Sequence, residues 1–224
     1  LYARALDRIC SALKEYALVK YGRRLRFIVP THSLLSYAQI HMCSPESALM
    51  DLNSMDGYIA QIWTGTSRQA NVYRGKRQER VFEMGFLEYG IMQELVRGTN
   101  RVMWFLQDPI EDNPNYTWEY YQQAYLQGLT SALLHPHISQ YEICPWPSRV
   151  LLGKYPRRSP EAKPIPGSYA TTLLSTTQAL RDMDQPYEWI GGDAGIGILV
   201  ADSCMYQRMY PDAYTIPQED RKST

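Results

Sequence analysis

Val102-Met103-Trp104-Phe105-Leu106 runs directly into Gln107-Asp108-Pro109-Ile110-Glu111-Asp112-Asn113-Pro114. An apolar run halted by Asp-Pro reads as a strand that ends in a turn. Helical patterns flank it on both sides. Before it, a helix is expected from about Glu79 to Arg97, with Phe82, Phe86, Tyr89 and Leu95 on its apolar face and Gly98 as its stop. After it, Trp118, Tyr121, Tyr125, Leu129, Ala132 and Leu133 line one face of a second helix. Helix, strand, helix is the beat of a parallel α/β sheet, and the rest of the chain keeps it.

Outward from that core, Gly57 to Trp63 reads as a strand, and so do Leu25 to Pro30, Gln140 to Cys144 and Pro186 to Ile190. Ile198-Leu199-Val200-Ala201-Asp202-Ser203 reads as one more. Leu6, Ile9, Cys10, Leu13 and Ala17 make a helical stripe over Leu1 to Tyr21, with Gly22 at the C-cap position. A short helix is expected at 45–50, with Ser44 as N-cap and Pro45 in first position, and a longer one from about Ser168 to Met183. No Asn-Gly or Asp-Gly hairpin signal separates the strands, and Arg74-Gly75-Lys76-Arg77-Gln78-Glu79-Arg80 reads as a solvated basic loop.

Strand starts near 25, 57, 102, 140 and 187 give five βα units. A closed (β/α)8 barrel needs eight in roughly 250 residues. The expected fold is therefore α/β, the later part of a (β/α)8 TIM-like barrel over residues 1–190. Residues 191–224 would start a second domain or form a tail. A chain that opens inside a helix without an initiator Met is expected to be a piece of a longer parent. An open doubly wound sheet is the competing architecture. Against it, no Gly-rich phosphate loop follows a strand, since Gly191-Gly192-Asp193-Ala194-Gly195 precedes one. For the same reason no cofactor is expected.

Composition narrows the function classes. Lys+Arg 23 balance Asp+Glu 23, which argues against a nucleic-acid partner. No apolar run approaches the ~20 residues of a membrane span. The 4 cysteines form no CxxC pair, so neither a zinc cluster nor a disulfide framework is expected. Eighteen tyrosines and 5 tryptophans against 4 phenylalanines favour places that need flat apolar faces together with hydrogen bonds.

In parallel α/β folds the chemistry gathers where strands end. Those ends carry His32, then Trp63 and Arg68, then Trp104 and Asp108 with Glu111 and Asp112 beyond, and then Glu142 and Trp146. Carboxylates beside indoles suit a sugar: the indole stacks on the C–H face while the acids take hydroxyls or move protons. Glu142 alternates with Tyr141 and Ile143 and so faces the opposite side of its strand. It is either a Glu held for packing or a functional acid. Asp108 is either an Asx-turn residue or a rim acid. Glu83, in the first turns of its helix, either reaches the rim or sits on the surface. His135-Pro136-His137 suits a turn better than a metal site, and Cys144 suits packing better than nucleophilic attack.

Residues 56–66, 104–114 and 141–147 together resemble a group of bacterial glycoside hydrolases built on a TIM barrel, over residues 25 to 208. The resemblance implies a following Rossmann-like domain similar to the trimerisation domain of some β-galactosidases, and with it a homo-oligomer. It implies a carbohydrate substrate and places Glu142 on the seventh barrel strand, where related retaining enzymes carry the nucleophile. Their acid/base Asn-Glu pair has no counterpart here, where the fourth strand ends in Thr31-His32-Ser33. Either Asp108 serves as the acid, or the mechanism differs, or the domain binds glycans without cleaving them. In the first case Glu142 is nucleophile or base, Trp63, Trp104 and Trp146 form the sugar platform, and Arg68, His32, Glu83 and Glu111 are further contacts.

Overall fold

The computed structural model describes residues 1–32, 35, 37, 45–62, 70–110, 114–183 and 195–201. Four strands, β1 (Ile28–Thr31), β2 (Gly57–Ala60), β5 (Val102–Gln107) and β6 (Tyr141–Ile143), form one parallel sheet in the order β1-β2-β5-β6. Each new strand joins beside its predecessor, so among the described strands the order never reverses. The fold is α/β with a parallel sheet, as expected. Pro30 is accommodated because, among the described strands, β1 is an edge of this sheet, where a missing N–H breaks no ladder.

The helices described from end to end are α1 (Tyr2–Tyr21), α2 (Glu46–Met50), α3 (Val81–Val96), α4 (Trp118–Leu133), α5 (Pro147–Leu151) and α6 (Gly167–Asp182). Gly22 ends α1 in the left-handed conformation, at φ 63. Thr117 caps α4 by accepting from the Tyr120 N–H at 3.3 Å. Strand alternation sends Tyr58, Ala60, Met103 and Phe105 into a core with Cys10 of α1, Leu49 of α2, Tyr89 and Met92 of α3 and Ala132 of α4. The helices α3 and α4 lie close enough that a Cβ on Gly85 would sit 2.7 Å from Ser131 Oγ. A second core, rich in aromatics, joins Trp118, Tyr121 and Tyr125 of α4 to Val150, Tyr155 and Tyr169.

Five expectations change. The basic stretch is an antiparallel hairpin, β3 (Asn71–Tyr73) and β4 (Lys76–Gln78), turning at Arg74 (φ 51) and Gly75 (φ 73). Two consecutive positive φ values are what a type I′ two-residue hairpin requires, and Arg-Gly supplies them without the usual Asn or Asp. The buried side of α3 is rotated from the expected stripe: Glu88, Met92 and Gln93 are buried, while Phe86 and Leu87 are exposed. On α1, Ile9 and Leu13 are exposed although they share the apolar stripe. Pro45 is the N-cap of α2 rather than its first residue. Residues 196–201 carry no strand; Ile198 and Leu199 are exposed, because β propensity without a partner makes no ladder. The strand expected at 186–190 lies outside the described residues, as does Ser44.

Part of the tyrosine surplus, among the described residues, lies in the core. Tyr58, Tyr89 and Tyr169 are buried and donate to the carbonyl oxygens of Leu49 (2.8 Å), Leu106 (2.6 Å) and Pro109 (2.5 Å). Each ring fills core volume while its hydroxyl satisfies a backbone acceptor.

Candidate functional site

Tyr141 and Ile143 pack towards the helices, so alternation turns Glu142 to the opposite face of β6. Ile59 and Trp104 share that face: they are register partners across β2 and β5, half-buried, and belong to neither core. Glu142 is paired with Leu106. Burial on this face pushes the Glu142 carboxyl above its ordinary value.

Asp108 stands just past β5. Its Oδ1 accepts from the Ile110 N–H at 3.2 Å, an Asx turn, and its Oδ2 lies 3.8 Å from Arg149 Nη1. The Asp108 side chain is only 10% exposed, which makes this ion pair more than a surface contact. With Glu142 opposite Leu106, two residues of rise and one strand spacing separate the Cα atoms of Glu142 and Asp108 by about 8 Å. Cys144 follows β6 at φ 59 and donates its N–H to the Gln107 carbonyl at 3.2 Å, which turns the chain towards α5. Burial first, and then the Asp108 charge, raise the Cys144 pKa, which keeps the sulfur a thiol and unsuited to attack. Arg149 was not anticipated. Its signal was Pro147 at the start of a helix directly after a strand, which brings that helix's first residues to the rim.

His32 ends β1 at the same rim. Its Nδ1 donates to the Gln61 carbonyl at 2.6 Å, which fixes the tautomer and leaves Nε2 as an acceptor in the neutral ring. Two strand spacings, about 10 Å, separate β1 from β5, so His32 is an outlying member of the group. Trp146 is 59% exposed at the N-cap of α5. Glu83 does not join these residues. It is exposed and lines a groove of about 310 Å³ with Gln78, Tyr120 and Gln127 on the helix layer. Trp63, Arg68, Glu111 and Asp112 lie outside the described residues.

Behind the rim, Gln107 donates to Tyr89 Oη at 2.7 Å beside a cavity of about 10 Å³ that Val81 and Asp108 also line. That is room for no more than about one water. Burial first, and then the Glu88 charge, push the Tyr89 pKa far up. Glu46, 2% exposed, accepts from Thr31 Oγ1 at 3.2 Å, a buried polar contact that neither sequence position announces. The His-Pro-His segment is a turn, with His135 Nε2 donating to the Phe86 carbonyl at 2.8 Å. Among the described residues no cluster of His, Cys, Asp and Glu could hold a metal ion.

Comparison with family models, curated proteins and solved structures finds no match. No described helix is long and apolar enough to cross a membrane.

Proposed function

We propose that the chain is part of a (β/α)8 barrel that hydrolyses glycosidic bonds, with Glu142 and Asp108 as its two acids. The observation that carries this reading is the position of Glu142: a carboxyl raised in pKa by burial, opposite Leu106 on the sheet face outside the two helix-lined cores, which Trp104 shares, and one strand from Asp108. The one-way strand order and the helix-covered opposite face support the barrel.

Within this reading the roles run opposite to the sequence expectation. Desolvation favours the protonated form of Glu142, which suits a proton donor to the leaving oxygen. Asp108, with Arg149 Nη1 3.8 Å from its Oδ2, takes the remaining role of base or nucleophile. Trp104 and Trp146 form the sugar platform, and His32 contacts a hydroxyl. A carboxyl separation of about 5–5.5 Å would give retention, and about 6.5–9.5 Å inversion.

The test is reducing-sugar release from a panel of neutral and acidic glycans by the intact chain. Glu142→Gln and Asp108→Asn are each expected to lower kcat by about 10²–10⁴-fold while glycan binding, followed by tryptophan fluorescence, persists. Turnover unchanged in both variants would defeat the proposal. A second reading, a non-catalytic carbohydrate-binding barrel, is favoured by how fully Ile110 and Arg149 already engage Asp108. Glycan binding without turnover in the unaltered chain would select it.

A further inference from the structure

The hairpin β3–β4 carries Arg74, Lys76 and Arg77, and Arg80 follows it; Glu79 is the one carboxylate within 74–80, and it accepts from the Tyr120 hydroxyl. Arg74, Lys76 and Arg77 are exposed, and among the described residues none has an ion-pair partner. The ribbon is braced rather than loose. Arg80 donates to the carbonyls of Lys76 at 3.0 Å and Gln78 at 3.2 Å, which ties β4 to the start of α3. The Arg74 and Arg80 guanidinium carbons lie 5.2 and 5.8 Å from the centre of the Tyr73 ring. The left-handed turn puts Arg74 at the tip, and pleating sends Lys76 and Arg77 to opposite faces.

Its base also has a defined place. Val81, the residue after Arg80, lines the small cavity shared with Ile62, Leu106, Gln107 and Asp108, so the ribbon rises from the carboxyl ends of β2 and β5. From this we propose that the hairpin is a docking arm for an anionic polysaccharide, a chain bearing carboxylate or sulfate groups, which it holds beside the Asp108 rim. This rests on the carbohydrate reading above and names its substrate class. Cations on two faces and at a tip suit a flexible polyanion that can wrap, whereas a single small anion would meet only one of them. A nucleic acid is disfavoured because the one aromatic ring on the ribbon, Tyr73, already packs against two guanidinium groups and is poorly placed to stack a base.

The test compares the intact chain with Arg74→Gly/Lys76→Gln/Arg77→Gln, which removes three charges, keeps Arg80 and leaves a turn that glycine favours. Binding of polygalacturonate, chondroitin sulfate, a neutral β-glucan and a mixed-sequence single-stranded oligonucleotide is measured by calorimetry, with the fold checked by circular dichroism. The triple variant is expected to bind one or both acidic polymers about tenfold more weakly, as is the unaltered chain when salt rises from about 50 to about 200 mM. Neutral-glucan binding should not respond to either change. Acidic polymers bound equally by both proteins, or an oligonucleotide bound more tightly than either polymer, would overturn the proposal. Ribbon-dependent binding of an acidic polymer that is never cleaved supports the arm and removes only the hydrolase. Cleavage of a neutral glycan with ribbon-independent binding removes only the arm.

Discussion

The two faces of the parallel sheet are built on different terms. On one, Tyr58, Ala60 and Phe105 are fully buried under α1, α3 and α4. On the other, their neighbours in sequence, Ile59 and Trp104, remain half-buried and outside both cores, as does Glu142 on β6, while Leu106 on the same face is buried. Residues one position apart on β2 and β5 thus differ: the covered face supplies the two cores, and the other face carries an acid and an indole that neither core includes among the described residues. Substituting adjacent residues of β5 is the sharpest way to break this contrast. Phe105→Ala is expected to cost about 4 kcal/mol and Trp104→Ala no more than about half as much, read from urea unfolding midpoints. Equal losses would mean that the open face is also core.

The contact between α3 and α4 gives the next largest effect. A Cβ at Gly85 would meet Ser131 Oγ at 2.7 Å, and that hydroxyl cannot simply move away because it donates to the Gly128 carbonyl at 2.7 Å. Gly85→Ala should therefore destabilise by about 1–3 kcal/mol, and Ser131→Ala in the same background should restore most of it. The double variant, measured by the same unfolding curves, separates close packing from any intrinsic need for glycine in the helix.

How far this was legible differs between the faces, for physical reasons. The strand β5 and the aromatic side of α4 announce themselves, since Trp118, Tyr121, Tyr125 and Leu129 recur at helical spacing and all are buried. The orientation of Glu142 followed from alternation alone. The buried side of α3 did not follow from its residues, because Glu88 and Gln93 take core positions while Phe86 instead stacks on His135, a long-range contact. The hairpin escaped because its left-handed turn begins with an arginine. The Asp108–Arg149 pair joins residues on separate βα units, and no local pattern encodes that distance.

The two faces should also answer acid in opposite directions. His135, behind Phe105 on the covered face, has its pKa lowered from 6.5 by burial. Below pH 6.5 the unfolded chain binds the proton more readily, so the stability contributed by neutral His135 is present above that pH and falls away beneath it. Glu142 has its pKa raised from 4.5, so the folded chain keeps a proton that the unfolded chain releases. That stabilisation is complete below pH 4.5 and is lost as pH rises through the folded value. Unfolding midpoints measured across this interval should show His135→Asn flattening the decline towards acid and Glu142→Gln steepening it, because the variant lacks the compensating gain. The same sign in both would end the assignment of the two groups to different environments.

The smallest expected effect lies at the edge of the helical cover. α1 buries only Cys10 and Ala17, so its apolar grip on the sheet is weak. Polar ties supplement it: Asp7 accepts from Ser54 Oγ at 2.6 Å, and Lys14 Nζ lies 2.7 Å from Asp56 Oδ2. Burial alone would raise the Asp56 pKa, but Lys14 and the Phe27 N–H at 2.7 Å overcome it and hold the carboxyl below its ordinary value of 3.8. The pair is about a third exposed and solvent screens it, so Lys14→Met should cost only about 0.5–1 kcal/mol at neutral pH. That loss should vanish as acid protonates Asp56 below pH 3.8. A double-mutant cycle with Asp56→Asn, read by hydrogen exchange of the α1 amides, isolates the tie from the packing. If α1 exchanges no faster once the pair is gone, the helix is held by Cys10, Ala3 and Leu6 on the core together with the Asp7–Ser54 bond, and the Lys14–Asp56 pair adds nothing to the cover.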